Sequence, residues 1–109
     1  MPHDFLEMDV AELERWKQQG KEYTLLDVRL ASELDLASVP GALHIPMRDV
    51  QARIREIPRD RPVVVMCHVG ERSARIARFL VTDGFAEVYN LEGGIDDYAL
   101  RVDQSVARY

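Results

Sequence analysis

The chain has 109 residues, 47% of them hydrophobic and 30% charged, with a net charge of -5. That length suits one domain with one hydrophobic core, read as 1–109 with a core over about 5–100 and a tail at 101–109. The acidic balance, with no basic run to offset it, speaks against nucleic-acid binding, and no apolar stretch approaches the roughly 18 residues that span a bilayer.

The N-terminus, Met1 to Phe5, has neither a basic nor an apolar leader region, so no signal peptide is expected. A helix is predicted from Asp9. Asp9 is a fitting N-cap with Glu12 at capping-box spacing, and Val10, Leu13 and Trp16 share one apolar face. Gly20 ends it, and Trp16 reads as a core anchor. Tyr23 to Leu26 does not alternate and reads as a strand buried on both faces. Asp27 and Arg29 stand at its C-terminal end, the edge where open parallel sheets build sites. Ala31 to Ala37 reads as one or two helical turns, Val39 to Ala42 as a turn, and Ala42 to Pro46 as a short strand carrying a structural His44. Met47 to Ile57 is predicted as a helix with Val50, Ile54 and Ile57 on one face, stopped by Pro58.

The strand Val63 to Met66 then delivers the only cysteine, Cys67, into the loop Cys67-His68-Val69-Gly70-Glu71-Arg72-Ser73. A helix follows from Ser73 to about Asp83, with Ala74, Ala77, Leu80 and Val81 toward the sheet and Gly84 as its stop. Phe85 to Asn90 reads as a last strand, Leu91 to Gly94 as a tight turn, Ile95 to Leu100 as a short helix, and the rest as an unpatterned tail. Alternating strands and helices point to an α/β fold built on a parallel sheet.

One cysteine makes no internal disulfide, which fits a reducing compartment and a cytoplasmic location. It forms neither a CxxC pair nor a multi-thiolate zinc site, so no metal and no cofactor are expected. Free cysteines are usually small core hydrophobes. Three features favour a nucleophile instead: a strand end, a glycine that lets backbone N–H groups turn inward, and Arg72 with a helix N-terminus nearby, both of which favour a thiolate. Arg72 lies five positions after Cys67, and the sixth is Ser73. Cysteine phosphatases place their arginine at the sixth, so this tighter loop suits one sulfur atom better than a phosphate.

These residues, together with Leu25 to Arg29, Glu33, Val39 to Ala42, Ile45-Pro46, Val64 to Cys67, Gly70 to Ser73 and Leu91 to Gly94, resemble a single-domain rhodanese, a thiosulfate-type sulfurtransferase. The resemblance implies a three-layer α/β fold, with a mainly parallel sheet of about five strands flanked by helices on both faces. It implies that Cys67 takes a sulfane sulfur from a donor such as thiosulfate as a persulfide. The sulfur then passes to cyanide, a thiol, or a protein acceptor such as thioredoxin. The backbone of His68, Val69, Gly70, Glu71 and Ser73 is expected to cradle the persulfide, Arg72 to bind the anionic donor, and Asp27 and Arg29 to support the loop. Leu34, Ala37, Ser38 and Tyr98 depart from the family pattern at packing and turn positions. Glu71 must point outward if the cradle is to stay positive, which keeps a neutral or protein-bound donor open. The alternatives are a sulfur-carrier or partner-docking module without turnover, and a cysteine phosphatase or arsenate reductase on the same fold.

Overall fold

The computed structural model describes residues 4–109, so Met1 to His3, part of the stretch read for a leader, lie outside the described residues. Five strands form one parallel sheet: β1 (Leu6–Met8), β2 (Thr24–Asp27), β3 (Leu43–His44), β4 (Val63–Met66) and β5 (Val88–Leu91), in the order β1-β5-β4-β2-β3. The helices are α1 (Val10–Gln18), α2 (Ala31–Leu34), α3 (Glu71–Thr82) and α4 (Gly94–Arg101). Asp9 caps α1 by accepting from Glu12 N–H at 2.8 Å.

Strand β4 is central and buried at every residue, because both sheet faces are covered. Its side chains alternate. Val64 and Met66 join Leu13, Trp16, Ile95 and Tyr98 in the core shared with α1 and α4. Val63, Val65 and Cys67 join Ile76, Ala77, Leu80 and Phe85 in the core on the α3 side. The two-residue period of the strand thus aims the thiol toward the start of α3.

The sequence reading needs correction in four places. Met47 to Ile57 is not an α-helix but two 3-10 turns, Met47–Asp49 and Ile54–Glu56. Arg53 leaves helical geometry at φ -110°, ψ 22°, and the segment still buries Val50 and Ile57 without a continuous i to i-4 ladder. Strand β1 was not foreseen: it has three residues, only Met8 is buried, and it pairs on one side alone, so it carries no readable period. Strand β5 runs Val88–Leu91 rather than Phe85 to Asn90, because the Phe85 N–H is used to close α3 onto the Leu80 carbonyl. Helix α3 starts two residues before Ser73 and buries Ser73, Ile76, Ala77 and Leu80, whereas Ala74 and Val81 are only half-buried.

Candidate active site around Cys67

The chain leaves β4 at Cys67 and enters α3 at Glu71, so the connecting loop is only Cys67 to Gly70. Gly70 closes it at φ +104°, a left-handed conformation that a side chain at this position would strain. That turn aims the Gly70 N–H at the Cys67 sulfur, 3.1 Å away. The Cys67 and His68 carbonyls accept instead from the Ile95 and Asp96 N–H groups, at 2.9 and 3.1 Å, which satisfies two free donors at the start of α4. Because a trans peptide sets N–H opposite to C=O, the His68 and Val69 amides face away from α4. Gly94 makes this contact possible: a Cβ there would overlap both carbonyl oxygens.

Cys67 is 1% exposed. Its sulfur lies 3.2 Å from Ser73 Oγ, and the Ser73 hydroxyl donates to Asn90 Oδ1 at 2.5 Å. Ser73 has a single proton, so while it donates to Asn90 its oxygen can only accept from the thiol. Asn90 is held in turn, donating from Nδ2 to the Gly70 carbonyl at 3.2 Å and to Glu7 Oε1 at 3.0 Å. Glu7 and Asn90 are register partners on β1 and β5, and Asn90 is the partner of Val65 on β4.

Arg72, in the first turn of α3, reaches across to α2 and makes a bidentate pair with Glu33, Nη1 to Oε1 at 2.6 Å and Nη2 to Oε2 at 2.9 Å. The pair holds Glu33 down at about 2, mainly through the Arg72 hydrogen bonds and against the effect of burial. Arg72 is raised above its ordinary value, chiefly by its hydrogen bonds to Glu33 and against the effect of burial. Glu33 also accepts from Leu30 N–H at 3.0 Å and from the Tyr109 hydroxyl at 2.7 Å.

Asp27 and Arg29 form a fully buried pair, with Nη2 to Oδ2 at 2.7 Å and Nε to Oδ1 at 2.9 Å. The remaining Arg29 donors go to the Glu33 and Ala37 carbonyls at 3.3 and 2.9 Å and to Tyr109 Oη at 3.0 Å. Burial opposes the Arg29 charge, but the bonds to Asp27 and Tyr109 outweigh it and raise its pKa. The pair therefore braces the segment that carries Glu33, and its side chains make no hydrogen bond to the thiol loop. His44, from β3, bonds the Arg29 carbonyl through Nε2 at 2.7 Å.

The fold thus brings Gly70 and Ser73 to the Cys67 sulfur, while Arg72, at the start of α3, is engaged by Glu33. His68 turns aside: its ring stacks on Tyr109 at 4.0 Å and 10°. The Val69 side chain is half in solvent. Glu71 is exposed in the first turn of α3, at the positive end of the helix dipole. Asn90, Glu7 and Tyr109 carried no functional signal in the sequence. Among the described residues no cluster of His, Cys, Asp or Glu could hold a metal ion, and no helix is long and apolar enough to cross a membrane.

The model of the rhodanese-like domain matches residues 9–101. This chain belongs to the rhodanese-like domain family. The domain is 36% identical over 93 residues to a protein named "Sulfurtransferase" from Allochromatium vinosum, covering 85% of this chain and 87% of that one. It is 35% identical over 89 residues to the "Putative sulfur carrier protein YrkF" of Bacillus subtilis, covering 79% of this chain and 48% of that one. It is 37% identical over 95 residues to the "Rhodanese-like/PpiC domain-containing protein 12, chloroplastic" of Arabidopsis thaliana, covering 81% of this chain. The chain thus spans 31% of the Arabidopsis relative and about half of the Bacillus one. In fold it matches a rhodanese-like domain protein from Staphylococcus aureus with a TM-score of 0.83 at 23% identity, covering 96% of this chain and 99% of that one.

Proposed function

We propose that this rhodanese-like domain is a sulfurtransferase that carries a sulfane sulfur as a persulfide on Cys67. The single observation behind this reading is the Cys67 sulfur itself, 3.1 Å from the Gly70 N–H in a loop too short for the phosphatase spacing. After the thiol proton leaves to solvent, the thiolate attacks the outer sulfur of thiosulfate. A new sulfur–sulfur bond forms, the old one breaks, and sulfite departs with the bonding pair. A nucleophile (cyanide, a small thiol or a protein thiol such as that of thioredoxin) then attacks the outer persulfide sulfur and Cys67 leaves as thiolate. No net oxidant or reductant is consumed in either step. Loop amides and Arg72 stabilise the anionic groups. Residues 1–109 act as one unit in a cytoplasmic setting.

Thiosulfate treatment should add about one sulfur mass to the protein, cyanide should remove it as thiocyanate, and Cys67→Ser should abolish both while the fold is kept. Thiocyanate formation by Cys67→Ser refutes the assignment. Phosphate release from an aryl phosphate without thiocyanate would favour the phosphatase reading. A sulfur-carrier reading is favoured by one observation: Arg72 is already paired with Glu33, which leaves it less charge for a small dianion. A carrier accepts one sulfur and shows little multiple turnover.

A further inference from the structure

Nearly every arginine among the described residues has a carboxylate partner; Arg48, Arg55 and Arg75 do not. Two of these three line the same feature. A groove of about 450 Å³ starts at Arg72, with Val28, Met47 and Ile76 as an apolar floor and Leu30 and Arg48 along its sides. It continues past Arg48, Met47 and Ile76 to Arg75 and Phe79. Leu30 is 52% exposed at one rim, and Val69, in the thiol loop, is 49% exposed. No carboxylate lines either part, and among the described residues none lies within salt-bridge distance of Arg48 or Arg75. In a chain of net charge -5, an apolar groove with two uncompensated guanidinium groups, adjoining the arginine of the thiol loop, is a local reversal of sign.

We infer that this groove seats an acidic, leucine-rich segment of the protein that exchanges sulfur with Cys67. Carboxylates of that segment pair with Arg48 and Arg75, and its apolar side chains cover Leu30, Met47 and Ile76. The docked segment presents its thiol at the Arg72 end. The inference rests on the persulfide reading and adds the partner class to it. Apolar contact supplies the affinity and the two arginines select the sign of the partner. The exposed Leu30 side chain then lies at the edge of the interface.

The test uses the full chain, loaded to the persulfide with thiosulfate and verified by intact mass. Single-turnover discharge is followed with 2-mercaptoethanol and with three synthetic peptides. One is Asp-Leu-Cys-Leu-Glu; the second has lysine for both acids; the third has serine for both leucines. The acidic leucine peptide should react about tenfold faster than either other peptide, and high salt should shrink its advantage over the lysine peptide. Arg48→Glu with Arg75→Glu should reverse the charge preference and leave discharge to 2-mercaptoethanol within about twofold. Leu30→Ser, at an exposed site, should lower the leucine advantage and serves if the charge-reversed variant does not fold. Equal rates for the three peptides, or a charge preference unmoved by the substitutions, overturn the docking site. Failure to load any persulfide overturns the underlying reading instead.

Discussion

Glu33→Gln tests the pair that joins α2 to the thiol loop. The Glu33 carboxyl accepts two bonds from Arg72 and one each from Leu30 N–H and Tyr109. Its pKa falls from 4.5 to about 2. At about 1.4 kcal/mol per unit, that drop caps the stabilisation at about 3.5 kcal/mol. A third of the Arg72 side chain is in solvent, at 33% exposure. Screening therefore reduces the contribution to about 1–2 kcal/mol. A depressed carboxylate contributes fully above its unfolded value of 4.5 and loses that contribution as pH falls toward 2. Glu33→Gln should thus be less stable than the parent by about 1–2 kcal/mol at pH 7, with the gap closing between about pH 4.5 and pH 2. Urea unfolding at a series of pH values measures the gap. A gap that stays constant from neutral to acid pH refutes the ion-pair origin. The same variant frees the Arg72 charge, so persulfide loading from thiosulfate should become faster. Slower loading would mean that Glu33 positions Arg72 for the donor rather than competing with it.

Arg72→Ala should slow thiosulfate loading by about 1–3 kcal/mol, the value of a charged hydrogen bond, and unchanged loading kinetics would place Arg72 outside donor binding. Asn90→Ala removes the acceptor of the Ser73 hydroxyl and the donor to the Gly70 carbonyl. It should cost about 1–3 kcal/mol in chemical unfolding and change the rate of Cys67 alkylation by iodoacetamide. An unchanged alkylation rate would show that the Ser73 proton does not govern the thiol. Gly94→Ala drives a methyl into the Cys67 and His68 carbonyls and should lower stability by about 1–3 kcal/mol or more in thermal unfolding. A variant as stable as the parent would show that α4 can withdraw from the loop without cost.

Local pattern determined much of this protein. The apolar run Val63 to Met66, the glycine three residues after Cys67 and the amphipathic stretch beyond it specify strand, loop and helix from neighbouring residues alone. The two-residue period then sends Cys67 to the α3 side, and the count to Arg72 can be read without a structure. Segments whose stability is not local were the ones misread. β1 exists because β5 offers an edge, and Met47 to Ile57 keeps a helical spacing of apolar residues while its backbone follows two 3-10 turns.

The surroundings of the thiol were decided by strand order, which no local period encodes. Placing β5 beside β4 and β1 beside β5 sets Asn90 against Ser73 and Glu7 against Asn90, across 17 and 83 positions of sequence. The unpatterned tail packs through Val106, buried, and through Tyr109, whose ring lies on His68 and whose hydroxyl joins Arg29 to Glu33. The sequence by itself determined that a thiol would stand at the end of a central strand, because that follows from contacts along the chain. Only the tertiary structure decided which charges and protons face that thiol, because those contacts join residues that no local rule relates.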